Sequence, residues 1–493
     1  MKNKRICGTI LIFILYVLPI ILADRYYQDD LSRALRCATG WKGDGRILTE
    51  WLMKALSGNT GLVSDMAPLP LLIAMIGLAF ITVCFFNKTS DVELLSLVQS
   101  VFCMGIVIQS PFLLYNISYQ FDVLSMIVAV ALSILPWLIK RELKLYIRCI
   151  ITFVCALCAL MLYQPVIGMF ICLSVIVLYA DVLNGSAVSF KLICNRLVEL
   201  FSAGLAVIIY KLVLVPMLIP EGDWREGASQ TLEFGRGFFG MFISQLKSYI
   251  WFVGKTICGY SQGYMISFYL LVAVIIGVTI VCEIKERRPI YVILITIATP
   301  VLVLSGCILP LTFLNHYQIN GRIMISFIGV MIYLGITGVH LFSRIGNSGK
   351  ILLTAFFSIF LIYSLVNSYS YGNAMSAQKE YETHLASEIA SDIDTYGTVE
   401  DGMVRVSIVG QSPRSMQLET MITMFPNFET LVPVYIDNSG WIGGAWLQRF
   451  EINHIIYENI ELNEDELSDE QLVVDRNVYR VYLIDDLVLI DFK

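Results

Sequence analysis

Apolar residues fill most of this chain in long blocks separated by short polar links. The blocks run at about 6–22, 66–86, 94–113, 122–139, 146–162, 165–182, 197–219, 264–282, 290–310, 323–343 and 351–371. Each is near the ~20 residues needed to cross a bilayer as a helix, so the pattern predicts about eleven transmembrane helices. Only "YQ" parts the fifth block from the sixth. The opening, "MKNKRICGTILIFILYVLPIILADRYYQDD", has a basic start and an apolar core but no A-x-A-like cleavage site. It reads as a retained first helix with a cytoplasmic N-terminus.

Two long charged links, 23–65 and 220–263, interrupt the series. Both carry apolar residues at helical spacing: Leu31 and Leu35, then Leu48, Trp51, Leu52 and Leu56, and in the second link Phe239, Phe242, Ile243, Leu246 and Ile250. That spacing predicts amphipathic helices lying in the membrane interface. Past Tyr371 the pattern changes. Residues 376–395 have a polar helical pattern, while "MVRVSIVG", "LVPVYI" and "RVYLIDDLVLIDF" read as strands, the last containing two strands joined at an Asp-Asp turn. The expected organisation is a mainly α, polytopic membrane domain, 1–372, followed by a small α/β or α+β domain, 373–493.

Charge supplies an orientation. With Met1 cytoplasmic, the links expected inside carry Lys2, Lys4, Arg5, Lys88, Lys140, Arg141, Lys144, Lys191, Arg196, Lys285, Arg287, Arg288, Arg344 and Lys350. The opposite links at 114–121, 163–164 and 311–321 hold no lysine or arginine. This is the positive-inside pattern, broken by two outer links, 23–65 with Arg25, Arg33, Arg36, Lys42, Arg46 and Lys54, and 220–263; an odd number of spans then places the tail outside the cytoplasm. The net charge of −6 hides an asymmetry: the tail from Asn373 is roughly −15 and the remainder roughly +9. At 57% hydrophobic and 15% charged, the chain cannot fold as one water-soluble core. It has no basic arm or basic–aromatic ladder for nucleic acid. Most of the twelve cysteines sit inside apolar blocks, where they act as small apolar residues. No metal-ligand spacing demands a metal, and no cofactor is expected.

The unusual chemistry lies just past the first block. Asp29 and Asp30 stand among Arg25, Arg33, Arg36, Lys42 and Arg46, with "GDG" before Arg46. Neighbouring side chains on a helix diverge by about 100°, so one of the two aspartates at most faces a given ligand. A single carboxylate facing a cavity suits a general base. Guanidinium groups bind phosphate by paired hydrogen bonds, and Arg33, one helical turn after Asp30, and Arg46, beyond the glycine turn, are candidates to hold the donor phosphate. Base, phosphate clamp and apolar surroundings together fit a lipid-phosphate-linked sugar donor.

These residues resemble a known family. The aspartate pair after the first membrane block, followed by "GWKGDGRILTEW", is similar to the bacterial and phage glucosyl transferases of O-antigen modification (Gtr type II). The likeness continues in "SPFLLYNISYQFDVLSM", "LMLYQPVIGMF" and "LNHYQINGRIM". It implies a GT-C-like enzyme of the bacterial inner membrane, with an outward active site and a polyprenyl-phosphate-linked hexose, glucose above all, as donor. It further implies Asp29 or Asp30 as base, Arg46 and Arg322 as donor contacts, and a cell-surface glycan as acceptor. Besides membrane lipid, these two substrates are the expected partners.

Other candidates have plainer readings alongside. Asp122 starts a membrane block, where it suits either a helix cap or a site wall. Gln164 occupies a tight turn, where it suits either the turn itself or a sugar hydroxyl. Arg322 starts a membrane block, against the helix dipole, and functions there or snorkels to headgroups. His316 is an interface residue or a titrating group. Trp41, Trp51, Trp224, Trp251 and Trp441 fit an interfacial belt or sugar stacking. The acidic run 461–470 reads as a solvated loop. Two rival functions remain: a flippase or transporter of lipid-linked sugars, which would place ionisable residues in mid-membrane, and a non-catalytic surface-assembly protein.

Overall fold

The computed structural model of the protein describes every residue except 1, 140–141, 186–188, 220–224, 226–231, 233–234, 315–318, 398, 400–402, 439–440, 450–454 and 459–470. His316, Trp224 and the acidic run 461–470 therefore lie outside the described residues. The chain divides into two compact units. One contains Met1–Leu18, Thr39–Gly61 and Met66–Ser368; the other contains Pro19–Ala38, Leu62–Asp65 and Tyr369–Lys493. The first long link is thus shared out, with its aspartate pair in the same unit as the tail.

The first unit is helical. Among the described residues, nine helices are long and apolar enough to cross a membrane: Lys2–Ala23, Leu69–Thr89, Leu145–Leu162, Gln164–Leu183, Phe190–Leu218, Gln262–Lys285, Ile290–Thr312, Gly321–Arg344 and Asn347–Tyr396. Two shorter apolar helices, Leu97–Gln109 and Val123–Leu138, take up the remaining two blocks. These helices fit a multi-pass membrane protein. Their outward residues are often large and apolar, as at Phe190, Leu212, Val301 and Ile351, the surface that hydrocarbon rather than water accepts. Inside, close packing uses small residues. A Cβ on Gly168 would meet the carbonyl of Gly306 at 2.6 Å, and one on Gly306 would meet Cys172 at 3.0 Å. All twelve cysteines are free, and Cys103, Cys155, Cys172 and Cys307 are buried.

The charges at one end of this bundle are paired. Arg196 bonds Glu199 at 3.0 Å and approaches Asp181 at 3.9 Å. Arg344 reaches Glu283 at 2.6 Å. Asp181, Glu283 and Arg344 fall in the last turns of their helices, whereas Arg196 and Glu199 stand within the helix Phe190–Ile209 and Lys211 in the π-helical turn that follows it. The links 23–65 and 220–263 do form helices, at Asp29–Arg36, Ile47–Ser57 and Phe238–Cys258.

The second unit is an α/β body. Its five strands are β1 (Val404–Val409), β2 (Ile455–Tyr457), β3 (Leu472–Asp475), β4 (Tyr479–Ile484) and β5 (Leu487–Phe492), in the order β2-β1-β5-β4-β3. β1 runs parallel to β2 and β5; β4 is antiparallel to β3 and β5. The β4–β5 hairpin turns at Asp485, whose φ of 53° suits a tight turn. Its core joins Val406, Ile408, Val488 and Ile490 of the sheet to Leu385, Ile389 and Ile393 of the helix Asn347–Tyr396, and to Leu31.

"LVPVYI" is not a strand. Leu431, Val432, Val434, Tyr435 and Ile436 are buried, but two of the backbone groups there bond side chains rather than a neighbouring strand. The Pro433 carbonyl accepts from Arg25 Nη2 at 2.7 Å, and the Tyr435 N–H donates to Glu382 Oε1 at 2.8 Å. Proline also removes one N–H that a ladder would use.

Candidate functional site

Four of the candidate side chains meet within the helical unit. A turn of 3-10 helix, Trp41–Asp44, lies between Gly40 at φ 124° and Gly45 at φ 75°. Both glycines occupy conformations that side chains resist, and at Gly45 space adds to the demand: a Cβ would run into the Tyr210 hydroxyl. The next residue, Arg46, precedes the helix Ile47–Ser57. Its Nε donates to Gln164 Oε1 at 3.2 Å, and its Nη1 lies 3.6 Å from Asp122 Oδ2.

Arg322 comes from a distant part of the chain to the same oxygen, with Nη2 3.7 Å from Asp122 Oδ2. It belongs to the 3-10 helix Gly321–Phe327, capped by Asn320, whose Oδ1 accepts from the Ile323 N–H at 3.3 Å. The Arg322 carbonyl accepts from Asn116 Nδ2 at 2.9 Å and from the Tyr163 hydroxyl at 2.8 Å. The guanidinium carbon lies 4.4 Å from the Tyr119 ring centroid, and that of Arg46 lies 5.0 Å from the Tyr163 centroid. Aromatic faces thus support both cations.

Asp122 is buried, and its Oδ1 accepts from the Trp41 indole N–H at 2.6 Å. Trp41 has no exposed surface, so it is a buried donor and not part of an interfacial belt. Trp51 and Trp251 are exposed. Gln164 donates through Nε2 to the Asp44 carbonyl and the Tyr210 hydroxyl, each at 2.8 Å. Tyr210 opens a π-helical turn, Tyr210–Leu214, and its hydroxyl donates to the Gly45 carbonyl at 3.1 Å. Such turns often occur where a helix serves a site. Asp44 itself pairs with Arg225 at 2.9 Å.

The balance of charge decides what this cluster can hold. Two permanent cations face one carboxylate, while Asp44 and Arg225 offset each other. The arginine–Asp122 distances exceed the ~2.7–2.9 Å of a closed charge-assisted bond. The two arginine side chains retain 14% and 20% of their exposure. Two partly exposed guanidiniums side by side suit an anion with several oxygens, such as a phosphate ester.

The other three candidates, Asp29, Asp30 and Arg33, belong to the second unit. They share the helix Asp29–Arg36. Arg33 Nη1 is 3.8 Å from Asp29 Oδ2 and 3.9 Å from Asp30 Oδ1. The Asp30 side chain has no exposure, whereas that of Asp29 keeps 40%. The helix thus splits the pair into a buried and an accessible carboxylate, as the 100° step requires.

Sequence reasoning missed Trp41 as a donor, Asp44, Tyr119 and Tyr210. The left-handed glycines around "WKGD" hinted at the turn; nothing local to Tyr210 pointed to the Gly45 carbonyl.

Comparison with known proteins gives two matches. The family model described as glucosyl transferase GtrII matches residues 18–336, a stretch that includes every candidate from Asp29 to Arg322. A Salmonella phage P22 protein, described as an uncharacterized 55.3 kDa protein in the gtrB 5' region, is similar to this chain. The two are 24% identical over 485 residues, which is 97% of this chain and 96% of the phage protein. No solved structure matches.

Proposed function

The chain belongs to the glucosyl transferase GtrII family, and from that premise we propose that it transfers glucose from a polyprenyl phosphate to a cell-surface glycan such as O-antigen. The reaction takes place at the outer face of the bacterial inner membrane, in a GT-C-like scaffold whose N-terminus is cytoplasmic. One observation carries this reading: Arg46 and Arg322, remote in sequence, approach the same oxygen of the buried Asp122. Two guanidiniums gathered at one point are suited to the charge of a leaving phosphate.

In the proposed reaction an acceptor hydroxyl attacks the anomeric carbon as the bond from that carbon to the phosphate oxygen breaks. The phosphate leaves with the electron pair, and its charge is taken up by Arg46 and Arg322. The hydroxyl proton passes to the carboxylate of Asp29 or Asp30. A single displacement of this kind inverts the anomeric configuration. Asp122 and Gln164 orient Arg46, while Arg33 sets the carboxylate pair. No step calls for a metal.

The flippase alternative needs ionisable groups that follow a path through mid-membrane. Charges in mid-span are scarce, Lys211 being the main exception, which favours the transferase over it. The deciding experiment gives purified protein a set of synthetic polyprenyl-phosphate hexoses and a surface-glycan acceptor. Glucose transfer with inversion is expected. Lipid translocation without transfer of any hexose would replace this reading with the flippase, and neither activity would favour a surface-assembly role.

A further inference from the structure

Within the second unit, one side chain from the tail reaches the residues that immediately precede the aspartate pair. Gln28 has φ 47° and ψ −111°, a conformation that non-glycine residues hold only when their surroundings impose it. Its backbone N–H donates to the Tyr435 hydroxyl at 3.1 Å, and that hydroxyl donates to the Tyr26 carbonyl at 2.6 Å. One phenolic oxygen thus spans the two peptide groups on either side of Tyr27.

The phenol is itself tightly held. The Arg25 guanidinium carbon lies 4.2 Å from the Tyr435 ring centroid. Arg25 pairs with Glu382 Oε2 at 2.7 Å, and Glu382 Oε1 takes the Tyr435 N–H at 2.8 Å. Tyr435, Arg25 and Glu382 have no exposed surface. Burial pushes the Tyr435 phenol well above its ordinary range, so the hydroxyl keeps the proton that it donates. The "LVPVYI" segment therefore works as a brace, which explains why so apolar a run stays out of the sheet.

We infer that Tyr435 is a positioning residue for the carboxylate pair: its hydroxyl holds the Gln28 turn from which the helix Asp29–Arg36 starts, and so sets the direction of Asp29 and Asp30. This rests on the reading of that pair as the base. It gives the C-terminal region a part in the transfer step itself.

The test is a double-mutant cycle in full-length purified protein, using synthetic polyprenyl-phosphate glucose. The proteins are wild type, Tyr435→Phe, the less active of Asp29→Asn and Asp30→Asn, and the double variant. Donor binding and single-turnover transfer are measured separately. Tyr435→Phe should bind donor as wild type does but transfer about ten-fold more slowly or worse. In the Asp→Asn background the same change should cost less than about two-fold, because an absent base cannot be misplaced.

Gln28→Gly approaches the same turn from the other side and serves if the phenylalanine variant does not accumulate. Glycine accepts φ 47° but many other angles too, so the turn loosens, and the same non-additive loss is expected. Equal losses in both backgrounds, or an unaltered transfer rate, would overturn the inference. Normal turnover in both Asn variants would instead remove the base, and the positioning role would go with it.

Discussion

The Trp41 indole N–H and Asp122 Oδ1 are 2.6 Å apart, and both side chains are buried. This bond fixes one carboxylate oxygen and turns the other toward Arg46 and Arg322. Trp41→Phe removes the donor while keeping most of the ring volume. It should destabilise the protein by about 1–3 kcal/mol, the cost of leaving a buried acceptor unsatisfied, and should raise the donor KM. Thermal melts in detergent and donor titrations check both effects.

The arginines should not tolerate lysine. Lysine keeps the charge but loses the planar fork, so Arg46→Lys and Arg322→Lys should each weaken donor use clearly. Alanine should cost more, roughly 2–5 kcal/mol in kcat/KM, if the phosphate is left buried and unpaired. A fully active Arg322→Lys enzyme would reduce that arginine to a membrane anchor.

Asp29→Asn and Asp30→Asn test the base. At least one should lower turnover by roughly 100-fold or more, the range for a general base. Their stabilities should differ. Asp30 is fully buried near Arg33 whereas Asp29 is accessible, so Asp30→Asn should lower the melting temperature more. Turnover near wild type in both variants, at equal expression, would take the pair out of the reaction.

Acid should weaken the C-terminal sheet. Arg405 bonds Glu458 through two nitrogens and Asp486 through one. These hydrogen bonds hold both carboxyls below their ordinary range. A lowered folded pKa contributes stability above the unfolded value, near 4, and loses it as pH falls through the folded value. Melts of the full-length protein should therefore show a decline below about pH 4 that Arg405→Ala flattens. Equal pH dependence with and without Arg405 would show that the acid response arises elsewhere.

Topology is open to a direct check. Reporters fused after Tyr371 should be active outside the cytoplasm and silent within it. The reason is the basic residues in every link expected inside and their absence from the three short outer links at 114–121, 163–164 and 311–321, together with the expected odd number of spans. Cytoplasmic activity at that junction would mean that one apolar block does not cross.

Much of the helical framework could be read in the sequence because bilayer helices are signalled locally, by length and composition. All eleven apolar blocks are helical, including the two too short for the long-helix class. The β4–β5 hairpin was equally legible, since alternating residues and an Asp-Asp turn are local features. Long-range partners were not. The apolar run at 431–436 signals burial, and burial alone does not distinguish a strand from a braced coil; the distinction lies with Arg25 and Glu382. Asp122, Gln164 and Arg322 could be singled out as polar residues at the edges of apolar blocks, and Arg46 through the resemblance carried by "GWKGDGRILTEW". Their convergence depended on Tyr163, Tyr210 and Asn116, none of which is unusual in its own neighbourhood.

The Arg25–Glu382 pair also bears on how the protein is made. The two residues are 357 positions apart, and translation proceeds at roughly 5–20 residues per second, so Arg25 waits on the order of twenty seconds to a minute for its partner. Throughout that interval a guanidinium destined for complete burial must remain hydrated beside a membrane that is receiving one helix after another. The stretch from Pro19 to Ala38 is thus among the first to leave the ribosome and among the last to fold. A ribosome that stops between Tyr371 and Glu382 releases a chain whose apolar blocks are all synthesised and whose Arg25 lacks its carboxylate partner. Quality control that senses an unpaired Arg25 would remove such chains, and recombination between relatives would preserve function only when this early stretch and the tail are inherited together.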